Sequence, residues 1–209
     1  MSKEMILKNI RHALQYREKF NFQTHFVDGI KHEEESLLEE FIQFQSKNKA
    51  ELIHSNPENL KQDLEEVIKN AGIKKLLCAT DLSLDITQIE GVQTLPYDKS
   101  IEENREELFG IEASIIEARV GIANLGIVGI VSSTASPRLT SLIAPHCIML
   151  LDSKKILANL YEGLEYLKKM QDILPTNILF IAGPSRTADI ELQTVFGVHG
   201  PQKTTVILY

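Results

Sequence analysis

The chain has 209 residues, 43% of them apolar and 24% charged, with 22 basic and 29 acidic side chains and a net charge of −7. That length buries one substantial core, and the composition is that of an ordinary globular domain. The acidic balance argues against sequence-independent nucleic-acid binding, which depends on Lys and Arg to neutralise phosphates.

No apolar run approaches the length of a membrane span, and residues 1–10 lack a signal-peptide core. Cys78 and Cys147 both sit inside apolar runs and read as buried thiols, not as a disulfide framework. The cytoplasm is the expected compartment.

Residues 5–20 set Ile6, Ile10 and Ala13 at helical spacing, and 33–47 set Leu37, Leu38, Phe41 and Ile42 likewise. Residues 21–31 show no period and read as a connector. Residues 1–48 are thus expected to form a helical appendage, suited to clasp the main domain or a second subunit. From residue 49 strand and helix alternate. A strand at 51–54 is followed by a helix opened by Asn56-Pro57, with Leu60, Leu64, Val67 and Ile68 as its buried stripe. Strands are expected at 74–79, 92–95, 113–118, 126–132 and 146–151, and helices at 101–109, 137–144 and 153–170. The pattern predicts an α/β domain with a mostly parallel sheet flanked by helices.

The chain closes with a strand over 178–182, Gly183-Pro184, then Ser185-Arg186-Thr187 and an acidic helix start at Ala188-Asp189. Unpaired main-chain N–H groups and the helix dipole make such a place an anion site, and a ligand-binding role is expected for Gly183, Ser185, Arg186, Thr187 and Asp189. The duller reading is that Thr187 only caps the helix. A second candidate is GIANLGIVGIVSSTASP at 121–137, where Gly126, Ser132, Ser133 and Thr134 precede Arg138. Hydroxyls and a guanidinium there can hold phosphate or carboxylate, facing the first cluster, or the segment is only a Ser-rich turn with solvated side chains. This segment is neither a Walker A loop nor a GxGxxG fingerprint. His199, bracketed by glycines in GVHGP, is either a donor at the same site or a turn residue. No metal-ligand spacing occurs, and Glu117 and Asp189 are conceivable bases with no evident partner.

GPSRTADIE at 183–191, followed by GVHGP at 197–201, resembles the closing signature of the lactate-utilisation LUD-domain family. The likeness extends back to about Ala113. It implies a fold similar to that of the sugar-phosphate isomerase and CoA-transferase superfamily, occupying residues 49–209. It also implies a part in oxidising L-lactate to pyruvate, beside A- and B-type companion proteins that carry iron–sulfur clusters, either by binding an anionic substrate or cofactor or by scaffolding. The chain has no cluster-binding cysteine motif, so no cofactor of its own is expected. Where family members read Ala-Glu-Thr-Gly-Thr, this chain has Ala123-Asn124-Leu125-Gly126-Ile127. An amide cannot form the acyl intermediate of a carboxylate nucleophile, which weakens the alternative of a stand-alone enzyme of the superfamily (CoA transferase, sugar-phosphate isomerase or folate cycloligase).

Overall fold

The computed structural model describes residues 2–15, 32, 34, 36–98, 101–170, 175–187 and 194–209, in two units, Met1–Ile30 and Lys31–Tyr209. The first carries helix α1 (Lys3–Gln15), whose opening turn is capped by Ser2 Oγ accepting from the Met5 N–H at 3.3 Å. The expected connector at 21–31 lies outside the described residues.

The second unit begins with α2 (Leu37–Lys47) and is built on six strands: β1 (Glu51–His54), β2 (Lys75–Cys78), β3 (Gln93–Pro96), β4 (Ala113–Glu117), β7 (His146–Leu151) and β12 (Lys203–Leu208). Their order is β1-β12-β7-β4-β2-β3, and every neighbouring pair is parallel. Both β4 and β7 are buried along their whole length, as strands covered on two faces must be. One face carries α3 (Leu60–Asn70), whose Leu60, Leu64, Val67 and Ile68 pack on Leu76, Ile115, Ile148 and Ile207. Burying each such side chain contributes roughly 1.5–3 kcal/mol. Asn56 Oδ1 accepts from the Glu58 and Asn59 N–H groups, so Asn56-Pro57 opens a turn, and Asn59 is the N-cap of the helix proper.

The opposite face is covered by α4 (Ile101–Phe109) near β2 and β3 and, beside it, by a second sheet absent from the sequence reading. That sheet runs β8-β5-β6-β9, from β5 (Val120–Ile122), β6 (Ile127–Val131), β8 (Ile156–Leu157) and β9 (Ile178–Ile181). Val128 and Ile130 meet Met149, Leu151 and Val206 of the large sheet, together with Phe41 of α2. The domain therefore takes in α2, which helical periodicity alone groups with the first helix. Helix α5 (Leu160–Lys169) closes the outer face through Leu167.

Three sequence expectations change here. Residues 119–125, which lie between the expected strands 113–118 and 126–132, contain β5 and a 3₁₀ turn (Ala123–Leu125) that ends at Gly126 with φ +55°. A Cβ on Gly126 would stand 2.4 Å from the Gln45 N, so α2 can approach only a glycine. Residues 153–170 are not one helix: Asp152 caps a 3₁₀ turn, Ile156 and Leu157 pair with β5, and the helix restarts at Asn159. The Asn159 side chain accepts from the Glu162 N–H while Glu162 accepts from the Ala158 N–H, a reciprocal cap. Residues 137–144 hold only a 3₁₀ turn, Arg138–Ser141.

The closing segment also differs. β9 pairs antiparallel with β6 in the small sheet, so β9 and β12 are not joined by a crossover within one sheet. Arg186–Thr187 forms a short strand, β10, against β11 (Val195–Phe196). The expected helix start at Ala188-Asp189 lies outside the described residues.

Candidate functional site

The antiparallel register of β6 and β9 decides where the candidate residues go. Val131 is opposite Ile178 and Val128 opposite Ile181. Ser132 therefore lies beside the start of β9, its N–H and hydroxyl bonded to the Asn177 carbonyl. Gly183 lies past the other end, packed so closely on Asn48 that a Cβ would stand 2.2 Å from its carbonyl oxygen. The two clusters sit at opposite ends of the small sheet. They do not form facing walls of one anion site.

At the amino ends of β1 and β12, the two halves of the closing signature do meet. The Ser185 N–H donates to the Pro201 carbonyl, and the Gly197 N–H donates to the Ser185 carbonyl. Gly200 faces Ser185 closely enough that a Cβ there would lie 3.3 Å from Ser185 Cβ. Arg186 is exposed, with Nη2 donating to the Ala182 carbonyl at 3.2 Å, and His199 is exposed on the neighbouring loop. Thr187 is half-buried in β10. Gly126 is a packing glycine under α2, and Asn48 Nδ2 donates to the Leu125 and Gly126 carbonyls.

The second cluster bends to the carboxyl end of β2. Ser133 and Ser136 close a turn on each other, and the Ala135 carbonyl accepts from both the N–H and the hydroxyl of Thr80. Thr134 and Arg138 are exposed there.

That carboxyl edge also holds a cleft which no sequence motif marks. The chain leaves β2 outward to edge strand β3, along the α3 face. It leaves β4 inward and onto the opposite face, into the small sheet. Adjacent parallel strands whose connections diverge leave a crevice between their carboxyl ends, the usual ligand position in open α/β sheets. Beside that point, at the carboxyl ends of β2 and β3, a cleft of about 400 Å³ opens, lined by Cys78, Thr80, Leu82, Ser83, Asp85, Ile86, Thr94 and Pro96 among others.

Ser83 of that lining belongs to a hydrogen-bonded ring. Buried Glu117, at the end of β4, accepts from the Ser83 N–H at 3.1 Å and the Ser83 hydroxyl at 3.0 Å through Oε2, and from the Tyr209 hydroxyl at 2.7 Å through Oε1. Burial, reinforced by Glu117, pushes the Tyr209 phenol up to about 12, so it stays a donor. Beside it Arg119 pairs with Asp81. With both carboxylate oxygens engaged, Glu117 anchors the loop after β2 to the ends of β4 and β12, and its chemistry is positioning. Glu117 is visible in the sequence as a lone acid, but its partners lie 34 and 92 residues away, so no spacing reveals them.

Buried His146 and Thr205 sit at the amino edge in a separate chain of bonds that reaches the exposed Glu51 and Lys203. Thr205 donates to Glu51 at 2.6 Å, so the ring's Nε2–H donates to Thr205 at 2.7 Å, and Lys203 closes on Glu51 at 2.9 Å. Burial and the nearby Lys203 push the imidazole down to about 4, against an opposing pull from Glu51. Among the described residues no group of three or more His, Cys, Asp or Glu is placed to hold a metal ion, and no helix is long and apolar enough to cross a membrane.

Asn124 is buried on the 3₁₀ turn, where its Oδ1 has no partner among the described residues. It offers no carboxylate for covalent chemistry.

These features can be set beside known proteins. The chain is 31% identical over 158 residues to lactate utilization protein C of Shouchella clausii, an alignment covering 71% of this chain and 68% of that one. It is 29% identical over 167 residues to an uncharacterised protein of Neisseria meningitidis serogroup B, covering 76% and 71%. The crystal structure of a DUF162 family protein from Deinococcus radiodurans superposes with a TM-score of 0.60 at 18% identity, covering 82% of this chain and 95% of that one, which shows a common fold. Residues 38–209 match the LUD domain, and the chain belongs to the LUD domain family.

Proposed function

We propose that this protein serves L-lactate utilisation as a subunit acting with iron–sulfur companions of the A and B types. Oxidising L-lactate to pyruvate removes two electrons and two protons. The companions' clusters take the electrons, and this chain binds or presents an anionic partner group. The observation that carries the reading is the LUD match over 38–209, joined to relatives in several bacilli named lactate utilization protein C.

The meeting of Gly183–Thr187 with the Gly197–Pro201 loop supports a contact surface there. Arg186 supplies an exposed cation, and His199 a neighbouring donor. The cluster of Ser132, Ser133, Thr134 and Arg138 is a separate polar surface at the other edge, able to contact a second group. Nothing in this reading calls on nucleic acid.

The test is deletion of the gene, followed by growth on L-lactate as sole carbon source. Loss of growth, restored by the wild-type chain but not by the Arg186→Ala variant, supports the assignment. Undiminished growth on lactate overturns it.

A further inference from the structure

The cleft at the carboxyl ends of β2 and β3 has a chemistry unlike that of the surface around Arg186. Of the eleven described residues lining it, none is Lys, Arg or His, and Asp85 is the one carboxylate. The Cys78 thiol, pushed up to about 12 by burial, carries no charge at neutral pH. The guanidinium of Arg119, beside the Glu117 ring, is already paired with Asp81. Lys61 of α3 acts on Asp85 through space without lining the cleft.

A carboxylate or phosphate entering here would meet the Asp85 carboxylate with no cation among the described lining residues to pair it. The apolar lining, from Ala79, Leu82, Leu84, Ile86 and Pro96, instead suits a flat organic ring. Hydroxyls of Thr80, Ser83, Thr87 and Thr94 stand among these residues.

Asp85 is prepared as an acceptor. Thr87 gives both its N–H, at 3.0 Å, and its hydroxyl, at 2.7 Å, to Oδ1, and these bonds hold the carboxyl below the usual range for an aspartate. The loop is pinned two residues earlier by Ser83 on Glu117. Oδ2 is then the acceptor offered to a guest N–H.

We propose that this cleft is a binding site for an uncharged or cationic nitrogen-bearing ring compound, and that it discriminates against small anions such as lactate. The site does not rest on the lactate reading. Either could stand without the other, because growth on lactate tests one and the titration below tests the other.

Three probes of one size and shape separate the charge classes: benzamidine, benzamide and benzoate. Each is titrated into the full-length protein while backbone amide resonances are followed. The expected result is saturable shifts confined to residues 80–87 and 94–96 with benzamidine and benzamide, and at least about tenfold weaker binding of benzoate, or about 1.4 kcal/mol. The Asp85→Asn variant, altered at an exposed position outside the core, is expected to lose the advantage of benzamidine over benzamide while keeping the benzamide shifts. Benzoate binding as tightly as benzamide, or no saturable shift at the cleft with any probe, overturns the proposal. So does an unchanged benzamidine preference in Asp85→Asn.

Discussion

His146 offers a quantitative check on the packing of the amino edge. Its ring is buried between β7 and β12, bonded to Thr205, with its titration displaced from 6.5 to about 4. Above the unfolded value both states hold a neutral ring, and the group adds no pH dependence. As pH falls below 6.5 the unfolded chain takes up a proton that the folded chain refuses, so stability is lost until the folded value near 4 is reached. At about 1.4 kcal/mol per pH unit, the loss between about pH 7.5 and about pH 4.5 comes to about 2.5 kcal/mol. His146→Gln keeps an N–H for Thr205 and cannot titrate. Urea denaturation of both proteins across that range is expected to show the wild type losing about 2–3 kcal/mol more than the variant. Parallel profiles, differing by less than about 0.5 kcal/mol at every pH, would show that the ring is not buried neutral.

Three further substitutions probe separate parts of the structure. Gly126→Ala places a methyl 2.4 Å from the α2 backbone at a left-handed residue, and a loss of about 3 kcal/mol is expected from urea midpoints; a loss under about 1 kcal/mol would mean α2 does not pack there. Thr204 is 1% exposed and its hydroxyl has no partner among the described residues, so Thr204→Val should leave stability unchanged or raise it by about 1 kcal/mol. A comparable loss would reveal a bound water or another partner for the hydroxyl. Arg186→Ala removes an exposed side chain with one main-chain bond and is expected to shift Tm by no more than about 2 °C while abolishing support of lactate growth; a large fall in Tm would make Arg186 structural.

The parts of the fold legible in the sequence are those whose signal is local. β1, α4 and β7 have the limits read from their apolar patterns, and the stripe of Leu60, Leu64, Val67 and Ile68 is the buried face of α3. What the sequence hid depends on distant pairing. Ile156 and Leu157 fit a helical period as well as a strand, and only β5 draws them into a sheet. An apolar run such as Ile178–Ile181 carries no sign of its direction, so nothing local distinguishes a parallel neighbour of β12 from an antiparallel neighbour of β6. That one ambiguity placed Ser132 and Arg138 opposite Ser185 and Arg186 in the sequence reading, and its resolution separates them. The GPSRT and GVHGP segments stand out in the sequence as one signature, but their contact through Ser185, Gly197 and Pro201 appears only in the structure. The Glu117 ring was not, because Ser83, Glu117 and Tyr209 come from three unconnected loops and strand ends.

The central claim is that lactate oxidation by the iron–sulfur companions requires this chain. Purified companion proteins can be assayed for L-lactate-dependent reduction of an artificial electron acceptor, with and without the chain added at equal concentration. A rise in turnover of about tenfold or more on addition is the result the account predicts. Equal turnover in its absence would contradict it.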